Sequence, residues 1–141
     1  MRFIVMAMAT KESEAGPPPK PEAFAAMQEY NEELAKAGIL LAAEGLGPTS
    51  KGARVKFSGD QRTVIDGPFT ETKELVAGFW MIEVGSKEEA IEWFKRCPNP
   101  HEGVESEIEI RQVFAADDFG AEFTPELREQ EDRWREQIAA R

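Results

Sequence analysis

Apolar and polar positions along this chain follow two periods, and the switches between them mark out its elements. Residues 2–9 are almost continuously apolar, rich in Ile, Val, Phe and Met, which predicts a buried strand. Residues 11–20 are polar, with Gly16 and three prolines at 17–19, and read as a loop. From Pro21 the period lengthens. Phe24, Met27, Tyr30, Leu34 and Ala37 recur every three or four residues, the apolar stripe of a helix that starts on Pro and stops at Gly38. Glu32 and Lys36 form an i,i+4 pair on its other side. A second strand over residues 39–43 leads into the glycine-rich stretch Glu44-Gly45-Leu46-Gly47-Pro48.

Residues 53–58 and 62–65 flank Gly59-Asp60-Gln61, a hairpin signal. After a further loop, residues 77–84 form an apolar strand containing Phe79, Trp80, Met81 and Ile82. Ser86 and Glu89 make a capping box for a helix whose apolar face is Ala90, Ile91, Phe94 and Cys97, and Pro98 and Pro100 end it. Residues 107–114 alternate, with Ile108 and Ile110 opposite Glu107, Glu109 and Arg111, as in a half-exposed strand. A last helix opens at Thr124 and Pro125. Its apolar positions, Leu127, Trp134 and Ile138, are sparse, so it lies on a surface, either of its own domain or of a partner subunit.

Two β-α-β halves around a hairpin predict an α+β fold: a ferredoxin-like sandwich with an inserted β-hairpin over residues 1–119, then a C-terminal helical extension over 120–141. Two helices cover one sheet face. The strands are apolar on both, so a homodimer joined sheet to sheet is the economical cover for the other.

Composition narrows the functional classes. The 141 residues suffice for one domain with a real core. A net charge of −10 repels phosphate backbones and argues against nucleic acid as a partner. The one locally basic stretch, Lys51, Arg54, Lys56 and Arg62, reads as exposed strand charge that blocks edge pairing. No apolar run is long enough to span a bilayer, and the first residues lack a signal-peptide pattern, so no membrane association is expected. A single cysteine fits a reducing cytoplasm, the expected localisation. One histidine and one cysteine exclude a His/Cys metal site, and no phosphate-binding, dinucleotide or zinc-hydrolase motif occurs, so neither metal nor cofactor is expected.

The densest candidate chemistry is Asp66-Gly67-Pro68-Phe69-Thr70-Glu71-Thr72-Lys73-Glu74, a bent loop holding three further groups of interest beside Asp66: Glu71, Lys73 and Glu74. Gly67 before Pro68 enforces the bend, Asp66 suits a turn that accepts backbone N–H groups, and Phe69 can pin the loop to apolar surface. Asp66 is therefore read both as a turn former and as a general base, with Lys73 holding an anionic substrate. His101, the only imidazole, follows Pro-Asn-Pro and suits acid–base work at a cleft mouth, or is a bystander. Glu44 either faces a pocket or pairs with Arg54 or Lys73. Tyr30 belongs to the apolar face of the first long helix, which in a dimeric barrel also borders a cavity.

The segment DGPFTETKELVAGFW (66–80) resembles the defining motif of YCII-related proteins of the DGPF type. Agreement extends to Tyr30-Asn31-Glu32-Glu33-Leu34, to Ala43-Glu44-Gly45-Leu46 and to Arg96-Cys97-Pro98-Asn99-Pro100-His101. The resemblance implies a dimeric α+β barrel and a small-molecule cleft at the DGPF loop and dimer seam. One branch of the wider superfamily is catalytic, and a His–Asp pair is proposed for its smaller members. Here Met27 falls near the histidine position, so the dyad is not carried over. The resemblance also implies an alternative, a non-catalytic regulatory protein working with an extracytoplasmic-function sigma factor.

Overall fold

In the computed structural model, which describes residues 1–141, the chain runs β1 (Arg2–Met8), α1 (Lys11–Ala15), α2 (Pro21–Lys36), β2 (Leu40–Gly45), β3 (Ala53–Ser58), β4 (Gln61–Asp66), β5 (Val76–Glu83), α3 (Lys87–Lys95), β6 (Ile108–Gln112) and α4 (Pro125–Ala139). Four strands form a sheet in the order β2-β5-β1-β6, antiparallel throughout, while β3 and β4 pair only with each other. With the hairpin set aside, this is the split β-α-β order of a ferredoxin-like α+β fold. One expectation is corrected. Residues 11–15 are a short helix rather than loop, because Thr10 and Ser13 cap each other's backbone N–H groups and Gly16, at φ 96°, provides the left-handed stop.

Strand register explains where the core lies and where it thins. On the helix-covered face, Phe3 pairs with Ile82 and Val5 with Trp80, and Leu34 of α2 closes over them; these are among the most completely sealed side chains. Phe94 of α3 meets Trp80 and Tyr30 edge-on, with centroids 5.1 and 5.7 Å apart. Moving along the sheet, side chains shrink. The row Ala43–Trp80–Val5 gives way to Gly45–Gly78–Ala7, three neighbouring strands with almost no side chain between them.

The opposite sheet face carries Ile4 and Met6 of β1 beside Met81 and Phe79 of β5, all half-buried. Two projections leave the domain. In the hairpin, Val55 pairs with Val64 and both stay more than half exposed, as does Phe57. The α4 helix exposes Leu127, Trp134 and Ile138, and its side-chain bonds beyond its own turns run from Arg128 to Asp117 and Ala116. No helix is long and apolar enough to cross a membrane.

Candidate functional site

Where the sheet floor loses its side chains, the roof does not follow it down. The Gly45–Gly78–Ala7 row leaves a cavity of about 490 Å³ under the first half of α2. Met27 and Asn31 of α2, one turn apart, form its ceiling, with Ser13 of α1 and the loop at Asn99–His101 as further walls. Ala43 and Trp80 complete the floor. A volume of this size is within the range of small-molecule sites.

Three polar groups on these walls are held in place. Asn31 Oδ1 accepts the Trp80 indole N–H at 2.7 Å. His101 Nε2 bonds the Met8 carbonyl at 2.8 Å, which fixes the ring against β1. The loop carrying His101 is itself stitched by Asn99, whose Oδ1 accepts from the His101 N–H at 2.9 Å and from Ser106 Oγ at 2.5 Å, and whose Nδ2 donates to the Val104 carbonyl. Glu44 also lines the cavity. It forms no ion pair, so of its two readings the pocket-facing one agrees with the structure and pairing with Arg54 or Lys73 is not found: the Arg54 guanidinium lies 3.8 Å over the Phe69 ring.

The loop at 66–74 is built differently. Asp66 ends β4, and the Gly67 N–H is taken by the Gly52 carbonyl at 3.0 Å. The Asp66 carboxylate accepts no backbone N–H, so the turn-capping bond expected from the sequence is not made. The turn at Thr49 does that work. Thr49 Oγ1 accepts the Phe69 N–H at 3.0 Å and donates to Glu14 of α1, whose carboxylate also accepts the Thr49 N–H at 3.0 Å. Gly67 is pressed against this turn: a Cβ there would lie 1.7 Å from the Thr49 carbonyl oxygen. The Gly67–Pro68 peptide is cis.

Of the residues singled out from the sequence, Glu44 and His101 meet at the larger cavity. Asp66, Gly67, Pro68, Phe69, Glu71 and Glu74 line neither cavity, and Lys73 lines a smaller, polar one of about 260 Å³ with Thr10 and Glu107. Tyr30 is in the core, 4% exposed, its hydroxyl donating to the Trp93 carbonyl at 2.5 Å. Burial pushes its phenol well above the ordinary value, with Cys97 raising it further. No cluster of three metal-ligating side chains occurs. Asn31 was missed. Its position four residues after Met27 and three before Leu34 places a polar group on an apolar face, and that was the available signal.

A model of the YCII-related domain matches residues 1–114. The chain belongs to the YCII-related domain family. Within curated proteins it is 35% identical over 78 residues to an uncharacterised protein of Rhizobium meliloti (strain 1021), a match covering 55% of this chain and 62% of that one. The match thus spans less than two thirds of that relative's length. Among solved structures, it aligns with a 5-chloro-2-hydroxyhydroquinone dehydrochlorinase from Burkholderia phenoliruptrix AC1100, in complex with 2,5-dihydroxybenzoquinone. That alignment has a TM-score of 0.45 and 16% identity, and covers 81% of this chain and 94% of the other.

Proposed function

We propose that this protein binds a small molecule in the cavity between α2 and the Gly45–Gly78–Ala7 row. The observation that carries the reading is a 490 Å³ space over a sheet floor stripped of side chains, with Asn31 and His101 held at its walls by neighbouring groups. His101 is the residue suited to proton transfer within it, as the only imidazole in the chain. The 66–74 loop supports the site at one remove. Phe69 and Gly67 bear on Thr49, Thr49 is bound to Glu14, and α1 places Ser13 on the cavity wall. In the same reading the protein is a homodimer of the dimeric α+β barrel type, with the half-buried face of Ile4, Met6, Phe79 and Met81 at the seam and Asp66, Glu71, Lys73 and Glu74 near it. The apolar character of that face supports this.

The test is ligand-observed NMR with toluene, phenol and indole against the native protein and Ala43→Leu, which puts three more carbons on the floor. Selective broadening with the native protein and its loss in a folded Ala43→Leu variant is the expected result. Equal broadening in both, or none in either, overturns the assignment of the cavity.

A further inference from the structure

Two hydrogen bonds at this cavity fix more than position. The indole Nε1–H of Trp80 can only donate, so the Asn31 atom facing it at 2.7 Å is the carbonyl oxygen, and the Nδ2 amide is left over. A backbone carbonyl can only accept, so the His101 nitrogen facing Met8 at 2.8 Å carries the proton. The neutral ring then keeps its lone pair on Nδ1. Neither Asn31 Nδ2 nor His101 Nδ1 has a protein partner. No buried side-chain nitrogen or oxygen in the molecule lacks one, so both atoms reach open space, and both residues line the cavity. Turned into the cavity, these two free atoms give one wall an N–H donor and another an acceptor, above an apolar floor. Glu44 adds a negative charge at the rim.

We propose that the cavity has a fixed hydrogen-bond polarity and selects a small, uncharged hydroxy-carbonyl compound. Its carbonyl oxygen accepts from Asn31 Nδ2, and its hydroxyl donates to His101 Nδ1. Its apolar body packs between Met27 and Trp80. The inference rests on the cavity being the binding site, and it names the class of ligand. A carboxylate is disfavoured: it brings acceptors only, against a lone pair on His101 and the charge on Glu44.

The probes are meta-hydroxyacetophenone, meta-methoxyacetophenone, which lacks the donor, meta-ethylphenol, which lacks the acceptor, and meta-hydroxybenzoate, which is anionic. Binding is read by Trp fluorescence and by NMR. Asn31→Asp keeps an oxygen for the Trp80 indole and removes the amide donor. His101→Phe keeps a ring and removes the acceptor. Meta-hydroxyacetophenone is expected to bind best and meta-hydroxybenzoate worst. Asn31→Asp should weaken meta-hydroxyacetophenone about tenfold and leave meta-ethylphenol unchanged, the loss of one hydrogen bond. His101→Phe should weaken meta-hydroxyacetophenone and meta-ethylphenol and leave the methoxy ether unchanged. Should either variant weaken all neutral probes alike, or the benzoate bind best, the polarity is wrong while the cavity reading stands. If no compound binds the native protein and toluene and indole also fail, both readings fall together.

Discussion

The two parts of this molecule that look most like sites are built on opposite plans. At the cavity, small side chains on three strands leave space, and polar groups are pinned on one side with hydrogen-bonding capacity left on the other. At the 66–74 loop the space is gone. Gly67 lies against the Thr49 carbonyl, the Phe69 amide is satisfied by Thr49 Oγ1, and the Phe69 ring is covered by Arg54. A distinctive sequence segment can owe its character to close packing as readily as to chemistry. What separates the two is whether backbone and side-chain groups are already used by the protein.

Glycine to alanine substitutions make the sharpest break. At Gly67 the added methyl overlaps the Thr49 carbonyl, so the loop or the turn must move. Gly67→Ala is expected to lose about 2 kcal/mol or more, read as a lower urea midpoint. The same change at Gly45 meets nothing within 4 Å. Gly45→Ala should leave the midpoint close to native. Equal loss from both would erase the contrast drawn between the two regions.

Thr49→Val is the next largest. It keeps the shape of the side chain but removes the acceptor for the Phe69 N–H and the donor to Glu14. A loss of about 1–3 kcal/mol is expected, the usual penalty for a part-buried donor left unpaired. Slower amide exchange at Phe69 in the variant than in the native protein would contradict the bond.

Much of this was legible in the sequence, and the exceptions have physical causes. The four sheet strands and α2 show in the apolar period alone, since a buried strand and an amphipathic helix differ in spacing. The ferredoxin-like sandwich followed from the two β-α-β halves. The cavity did not show, because Gly45, Gly78 and Ala7 become neighbours only once the strand register is known. Likewise, nothing near Asp66 announces that Thr49, twenty residues from Phe69, makes the bend. His101 and Glu44 could be singled out as unusual residues, whereas the polarity at Asn31 depends on Trp80, forty-nine residues away.

Adjacent residues on α2 carry the same contrast at smaller scale. Tyr30 points into the core and its hydroxyl is used by the Trp93 carbonyl, while Asn31 reaches the cavity with an amide unused. Tyr30→Phe should lower stability by about 1 kcal/mol, the net contribution of one such bond, and leave probe binding unchanged. Loss of binding in a stable Tyr30→Phe would show that the two residues act as one unit.

The smallest effect is expected from Cys97, beside Tyr30 at the end of α3. Burial pushes its thiol from 9 up to about 12, and its Sγ lies 3.2 Å from the Pro98 carbonyl. Because the folded value is raised, the folded state holds the proton more tightly than the unfolded chain. The associated stability is complete below about pH 9 and is lost as the pH climbs from 9 toward 12. At neutral pH the thiol carries very little thiolate, so alkylation by iodoacetamide should be slower than that of free cysteine and should quicken on adding urea. A native-state rate equal to that of free cysteine would mean that the end of α3 is open to solvent. It would then resemble the cavity wall more than the core it is assigned to.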